Sequence, residues 1–226
     1  MNPWLTFSLL FLGIWFIIFL AKPTLRREMF WVSVRTLPFG LTEPLFVPKY
    51  WNPPSLFNLA ARTGFDIESL IFCFAVGGIA AIIYETIFTR KHKKMRRKEK
   101  CHARHRFHVL ALSTPLIIFL PLLLFTEWNP IYSAVIAMFF GGIAAMFCRP
   151  DLARKIWGGG LLFLGLYFVF FLGFVAVYPG IVQQIWNLSA LSGILILGIP
   201  LEELLYAFTF GMLWSSIYEH VLGYKL

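Results

Sequence analysis

Charged side chains are scarce in this 226-residue chain, and acidic ones are the scarcest. Only 14% of residues are charged and 59% are apolar, and 11 acidic residues stand against 20 basic ones. With a mean hydropathy of +0.74, this composition excludes an ordinary soluble domain. The chain instead contains long apolar runs, so it is predicted to be an integral membrane protein.

Cysteines and nucleotide-binding motifs are also sparse. Cys73, Cys101 and Cys148 fall in a predicted span or on the predicted cytoplasmic side, where disulfides are rare. No dinucleotide fingerprint occurs, and Gly158-Gly159-Gly160 lacks the Lys-Ser/Thr pair of a phosphate loop. We therefore expect neither a disulfide framework nor a nucleotide or flavin cofactor.

Seven apolar runs are long enough to cross a hydrocarbon core of about 30 Å, which takes about 20 helical residues. The second run contains Pro38, Gly40 and Pro44 together with Arg35 and Glu43, so a broken or re-entrant segment is possible there. The predicted fold class is an all-α membrane protein with about seven transmembrane helices. The runs lie near residues 4–21, 29–47, 67–88, 107–126, 130–148, 158–178 and 188–222.

The basic residues predict the orientation. Ten of the twenty lie in the segment 90–106, which is therefore predicted to be cytoplasmic and to contact anionic lipid headgroups rather than nucleic acid. Counting spans outward places the loops 22–27 and 149–155 on the same side. We expect a multi-pass protein of the cell membrane with its N-terminus outside and its C-terminus in the cytoplasm.

Much of the sequence occurs twice. The segment from Phe65 to Glu85 lines up without a gap on the segment from Ile199 to Glu219, and the motif Gly-Gly-Ile-Ala-Ala recurs at 77–81 and 141–145. Trp51-Asn52 precedes Glu68 at nearly the spacing with which Trp186-Asn187 precedes Glu202. The pattern predicts two parallel three-span repeats, 1–95 and 129–226, joined by a basic loop and linker helix at 96–128. The glycine motifs predict close helix packing.

Paired acids in the last apolar run are the strongest chemical signal. A carboxylate within a span normally faces the protein interior and marks a functional site, and Glu202 and Glu203 lie near mid-span. Two adjacent buried carboxylates resist ionising together, so one is expected to be protonated and to act as an acid beside an ionised base. The structural alternative is that they bind backbone freed by a hinge at Pro200, or pair with Arg35.

Helical spacing would also give the last span a polar face. That face comprises Glu202, Tyr206, Thr209, Leu213, Ser216 and His220.

The stretch Pro200-Leu201-Glu202-Glu203, following an upstream Trp, resembles the Pro-x-Glu-Glu signature of the integral-membrane lycopene cyclase family. That family uses a three-span domain, present twice in the active cyclase as two small subunits or one fused chain. The first repeat departs from the signature: it has Asp66-Ile67-Glu68-Ser69, without the Pro and the second acid. Thr42-Glu43 is the nearest candidate for the aromatic–Asp pair that the family carries in its second span.

The resemblance implies cyclisation of the linear end groups of a carotenoid, an isomerisation in which an acid protonates the terminal double bond and a base removes a neighbouring proton. It implies an acid–base pair in Glu202 and Glu203, with Glu68 and Glu43 as supplementary carboxylates. The pocket wall and substrate contacts would come from Tyr206, Trp51, Trp186, Trp214, Thr209 and Pro200. The ring isomer formed, the number of ends cyclised and the oligomeric state stay open.

Two other classes remain. Duplicated helical halves with intramembrane acids are also typical of a proton-coupled carrier, and the acids of a non-catalytic isoprenoid-binding or scaffold protein would be purely structural. The spacing of Cys101, His102, His105 and His108 would suit a metal, but these residues lie among like charges beside a membrane surface. We expect no metal.

Overall fold

The computed structural model describes residues 2–88, 93–95 and 107–225, and this part of the chain is almost entirely helical. The strands are two-residue pairs: β1 (Lys93–Lys94) with β4 (Tyr224–Lys225), and β2 (Leu195–Ile196) with β3 (Ile199–Pro200). The helices are α1 (Pro3–Ala21), α2 (Arg26–Thr36), α3 (Leu59–Thr63), α4 (Ile67–Phe88), α5 (His108–Phe125), α6 (Pro130–Cys148), α7 (Ala153–Val177), α8 (Ile181–Ile185), α9 (Leu201–Trp214) and α10 (Ile217–Leu222). The protein is an all-α membrane protein.

Five helical segments in the described residues are long and apolar enough to cross a membrane. Four correspond to the predicted spans within one residue at either end, namely α1, α4, α5 and α6. The fifth runs from Pro150 to Val177 and begins earlier than predicted. Its first turns contain Lys155, which was predicted to belong to a cytoplasmic loop but is buried in the protein.

The second predicted span is interrupted. After α2, residues Leu37–Leu45 form a 3₁₀ helix containing Pro38 and Pro44, which cannot donate backbone hydrogen bonds. Gly40 lies against the first turn of α4, where an added Cβ would come within 2.8 Å of the Leu70 backbone nitrogen. A side chain at this position would push the 3₁₀ helix, and Glu43 with it, away from α4.

The predicted span over 188–222, with its hinge at Pro200, does not form a helix along its whole length. This segment begins with a 3₁₀ turn (Leu188–Ala190) and the β2–β3 hairpin, whose turn residues Leu197 and Gly198 both have positive φ, as tight hairpins require. Pro200 is therefore not a hinge inside a helix: it ends β3, immediately before α9. The helix stops again at Trp214 before α10, so the predicted polar face from Glu202 to His220 does not lie along one helix.

The matched segments share local conformations. Asn2 caps α1 by accepting backbone N–H groups, and Asn129 caps α6 in the same way. Both helices end at a residue with nearly the same backbone angles, Lys22 (φ −121°, ψ 72°) and Arg149 (φ −131°, ψ 76°). Each is followed by a three-residue 3₁₀ helix that begins with proline, Pro23–Leu25 or Pro150–Leu152. The similar sequences at residues 22–25 and 149–152 therefore form the same type of turn.

Two compact units make up the chain. The first comprises Met1–Ile79 and Tyr167–Leu204, and the second comprises Ala80–Leu166 and Leu205–Leu226. Each unit takes residues from both predicted repeats.

Glycines allow close helix packing within both units, which confirms the packing prediction for the two glycine motifs. In the first unit, a Cβ at Gly77 would lie 2.2 Å from Thr36 Oγ1, so the Thr36 side chain of α2 packs directly against the backbone of α4. In the second unit, Gly141 of α6 lies against Pro115 of α5 in the same manner.

Candidate active site

Both carboxylate oxygens of Glu203, in the first unit, accept hydrogen bonds from side chains. Its Oε1 accepts from the Tyr50 hydroxyl and from Trp186 Nε1 at 2.8 Å, and its Oε2 accepts from the Tyr167 hydroxyl at 2.5 Å. All four side chains are buried. Hydrogen bonding of this kind favours the charged carboxylate, whereas burial opposes it, so the three donors offset part of the cost of keeping a charge there.

Three separate pieces of chain assemble this arrangement. Glu203 lies in the first turn of α9, where the helix dipole favours negative charge, and Tyr167 projects from α7. Tyr50 and Trp186 come from two loops that pair through their backbones. Asn52 N donates to Ile185 O at 2.8 Å and Asn187 N donates to Tyr50 O at 2.9 Å.

This pairing joins the two Trp-Asn motifs that the sequence comparison matched. Trp51 and Trp186 form an isolated antiparallel bridge, and their rings lie 5.5 Å apart. The bridge fixes Tyr50 and Trp186 on the same oxygen of Glu203. Trp51 and Trp186, predicted as pocket-wall residues, are thus brought together with the carboxylate that the sequence singled out.

Glu202 and Glu68, which occupy matched positions, make the same type of contact. Glu68 Oε1 accepts the backbone N–H of Leu56 at 2.7 Å, and Glu202 Oε1 accepts the backbone N–H of Ser192 at 2.8 Å. Each glutamate therefore fastens the loop that precedes its own helix. Glu68 Oε1 also accepts from the Asn2 side chain at 2.6 Å, which links it to the cap of α1.

Glu43 and Asp66 form a second cluster of carboxyl groups in the first unit. The Ser69 hydroxyl lies 3.2 Å from Glu43 Oε2 and 3.0 Å from Asp66 Oδ2, and the Trp51 side chain lies beside Glu43. A hydroxyl has one proton and cannot donate to two carboxylates at once. Ser69 therefore links the two carboxyl groups, and a proton on Glu43 would let Glu43 donate to the Ser69 oxygen while the Ser69 hydroxyl donates to Asp66.

Aromatic side chains connect these groups. Starting from Tyr167 on Glu203, ring contacts of 4.6–5.8 Å run through Phe11, Phe72, Trp4 and Trp51 to Trp186, which returns to Glu203. These aromatic rings make the surroundings of the carboxylates apolar. Aromatic faces also attract cations.

The remaining predicted substrate contacts lie elsewhere. Tyr206, Thr209 and Trp214 belong to the second unit, where Tyr206 and Trp214 stack on Phe210 and the Thr209 hydroxyl bonds to the backbone of its own helix. Pro200 belongs to the first unit, but it is part of the β2–β3 hairpin. Arg35 stacks on Trp31 and is exposed, so the proposed pairing with Glu202 and Glu203 is absent from the described contacts.

Sequence reasoning missed Tyr50, Tyr167, Ser69 and Asp66. Tyr50 precedes the Trp51-Asn52 motif, and Asp66 and Ser69 flank Glu68, so proximity to the matched segments was a usable signal for these three. Tyr167 gives no such signal, because one tyrosine in a long apolar helix is indistinguishable from an interfacial residue.

A cavity of about 530 Å³ opens among the loops of the first unit. Its polar lining consists of uncharged side chains, Asn52, Ser55, Asn58 and Gln184. None of the predicted carboxylates lines it, so its chemistry is distinct from that of Glu203.

The fold and the site define an integral membrane protein with buried carboxylates in aromatic surroundings. Residues 129–221 match the family model described as lycopene cyclase, so this part of the chain is similar to that family. The match contains Glu202, Glu203, Tyr167 and Trp186. No curated protein and no solved structure has a significant match to the chain.

Proposed function

We propose that the protein is a carotenoid end-group cyclase that isomerises linear, lycopene-type ends to six-membered rings within the bilayer. The observation that carries the proposal is Glu203, a buried carboxylate with three side-chain donors inside the segment that matches the lycopene cyclase model. The donors hold its oxygens in fixed positions in an environment where water does not compete. Oε2 accepts a single described side-chain hydrogen bond, from Tyr167, so it keeps a lone pair that can take a carbon-bound proton.

The acid in this proposal is the pair formed by Glu43 and Asp66. Their shared Ser69 hydroxyl supports one proton between them, and that proton is available for donation. Asp66 is fixed as well, because it accepts the backbone N–H of Ser69 in the first turn of α4. Trp51 lies beside Glu43 and contacts Trp186, which binds Glu203, so the acid and the base flank one tryptophan pair.

The reaction balances without a cofactor. The acid adds its proton to the terminal double bond, which leaves a tertiary carbocation, and the electron pair of a second double bond of the chain closes the six-membered ring. The positive charge then lies on a ring carbon, and Glu203 removes a proton from a neighbouring carbon to form the ring double bond. Release of that proton from Glu203 and uptake of one by the acid pair complete the cycle, so atoms are conserved.

The aromatic rings around the carboxylates can stabilise this cation. Aromatic faces stabilise a desolvated cation by up to about 2 kcal/mol each, and Trp51 and Trp186 adjoin both carboxyl clusters. The same rings exclude water, which would otherwise capture the cation as an alcohol.

Glu202 and Glu68 have a different role in this proposal. Their contacts to Ser192 N and Leu56 N hold loops in place, so we assign both as positioning residues rather than as proton donors. This changes the sequence-based hypothesis, in which Glu202 and Glu203 form the acid–base pair.

The proposal includes the organisation of the chain. Two fused three-span repeats, 1–95 and 129–226, would share the site, with the basic segment 90–106 on the cytoplasmic face near anionic lipid headgroups and the N-terminus outside. The matched caps and the Trp51–Trp186 bridge support the duplication.

The test is expression in a lycopene-accumulating cell, with pigments separated by chromatography and identified by absorbance. Wild type and Glu127→Gln, which alters an exposed acid, are expected to form ring-bearing products. Glu203→Gln is expected to leave lycopene unchanged, with a rate loss of roughly 100-fold or more. Full cyclisation by Glu203→Gln at equal protein level would contradict the role of Glu203. Unchanged lycopene from correctly inserted wild type would contradict lycopene as the substrate.

A further inference from the structure

Three metal-ligating side chains meet in the second unit, in a place that the proposed chemistry does not use. They are His108 at the start of α5, Cys148 at the end of α6 and His220 in α10. One ligand atom of each lies within 4.8 Å of the ligand atoms of the other two. The two imidazole rings lie 4.8 Å apart at an angle of 33°.

The surroundings suit a bound metal. Cys148 and His220 are buried and His108 is half-buried, so the three ligand atoms converge in a largely desolvated place. Arg149 follows Cys148 in the chain, but its guanidinium binds both carboxylate oxygens of Asp151, at 2.8 Å and 2.7 Å, and the Tyr224 carbonyl. This pairing offsets the charge of Arg149.

The geometry points to a site for a thiophilic divalent metal, and we propose that His108, Cys148 and His220 bind Zn²⁺. Two imidazole nitrogens and one thiolate are a donor set that zinc prefers, with bonds of about 2.0–2.3 Å and tetrahedral geometry. Neighbouring ligand atoms around tetrahedral zinc are separated by roughly 3.3–3.8 Å. A movement of about 1 Å therefore brings the three atoms from their present limit of 4.8 Å to coordinating distance. The fourth position is open to water or another donor.

In the sequence, His108 stands close to three other potential metal ligands. Cys101, His102 and His105 lie outside the described residues, whereas the partners identified here come from two other helices. Ligands that lie this far apart in the sequence have no characteristic spacing from which a metal site could be predicted.

The metal would anchor α5. This helix has a single buried residue, Ala111, so little of its surface packs against the rest of the described chain. A bond from its first residue to α6 and α10 would fix the end that follows the basic segment. Because the three ligands are separate from the carboxylates of the first unit, the inference does not depend on the proposed cyclase activity.

The test measures metal binding by the full chain purified in detergent. Metal analysis is expected to find about one Zn²⁺ per chain after dialysis against trace zinc. Titration of the metal-free protein with Co²⁺ is expected to give a thiolate-to-cobalt absorption band that saturates at about one equivalent. Wild type that binds neither ion at stoichiometric concentration would overturn the proposal without reference to any variant.

Variants then identify the thiol. Cys73→Ser and Cys101→Ser are matched controls that each remove a different thiol, and both are expected to retain the Co²⁺ band. Cys148→Ser is expected to lose it, and His220→Asn to reduce the affinity at least ten-fold. Loss of the band in Cys101→Ser with retention in Cys148→Ser would place the metal in the basic segment and refute the assignment.

If Cys148→Ser does not fold, a variant that keeps all three proposed ligands provides the test. In the double variant Cys73→Ser/Cys101→Ser, Cys148 is the sole thiol, so any thiolate band belongs to it. Folded double variant that gives no band would refute the assignment.

Discussion

Glu85 and Glu219, which occupy matched positions in the two repeated segments, both bind the ammonium group of Lys155. All three side chains are fully buried, and the group carries one positive and two negative charges when every member is ionised. Such a cluster is stable only while each charge keeps its partner. The interaction joins α4, α7 and α10 within the second unit.

Lys155→Met should therefore destabilise the protein strongly, by about 3–5 kcal/mol, because it leaves two buried acids without their cation. The measurement is thermal unfolding in detergent, followed by circular dichroism. The triple variant Lys155→Met/Glu85→Gln/Glu219→Gln removes all three charges and should recover a large part of the loss. A single variant as stable as wild type would show that the cluster does not contribute to folding.

Trp186→Phe should reduce cyclisation by about 10–100-fold, since a hydrogen bond to a charged group contributes about 1.5–3 kcal/mol. Phenylalanine keeps an aromatic ring near Trp51 and Phe171 but cannot donate to Glu203. Trp128→Phe is the control, because Trp128 is 54% exposed. Product formation in lycopene-accumulating cells is compared at equal protein level, and equal activity of both variants would count against a role for the indole donor.

The positioning role of Glu68 and Glu202 predicts a difference between two substitutions at each site. Glutamine keeps a carbonyl oxygen that can accept from Leu56 N or Ser192 N, so Glu68→Gln and Glu202→Gln should retain most of the activity. Alanine removes the acceptor and should lower stability by about 1–3 kcal/mol. Activity and melting temperature are measured together. Loss of activity in Glu202→Gln with unchanged stability would instead make Glu202 a catalytic acid or base.

Gly40→Ala should lower both stability and activity. Its methyl group would come within 2.8 Å of the α4 backbone, and overpacking of this kind costs about 1–3 kcal/mol. The shift would move Glu43 away from Ser69. Gly13→Ala is the matched control, since nothing lies within 4 Å of a Cβ at Gly13. Equal melting temperatures and equal product yields for the two variants would contradict the close approach.

The long helices were predictable because length and apolar composition decide them, and α4 and α6 begin and end at the predicted residues. The β2–β3 hairpin was not predictable, because its apolar side chains resemble those of a span. Only the glycines at 193 and 198 mark the turns. Lys155 was assigned to a loop because its compensating acids lie far away in sequence. Glu203 could be selected from the sequence as a candidate, but its donors Tyr50 and Tyr167 depend on tertiary contacts that no periodicity encodes.

The Trp51–Trp186 bridge has a consequence for how the two halves of the chain depend on each other. The loop of either half leaves a backbone donor and acceptor unpaired until the other half supplies their partners. Separate halves would have to find each other in the membrane before Glu203 acquired its Tyr50 donor. Covalent linkage in one chain turns that encounter into an intramolecular step, whose effective concentration does not depend on the expression level.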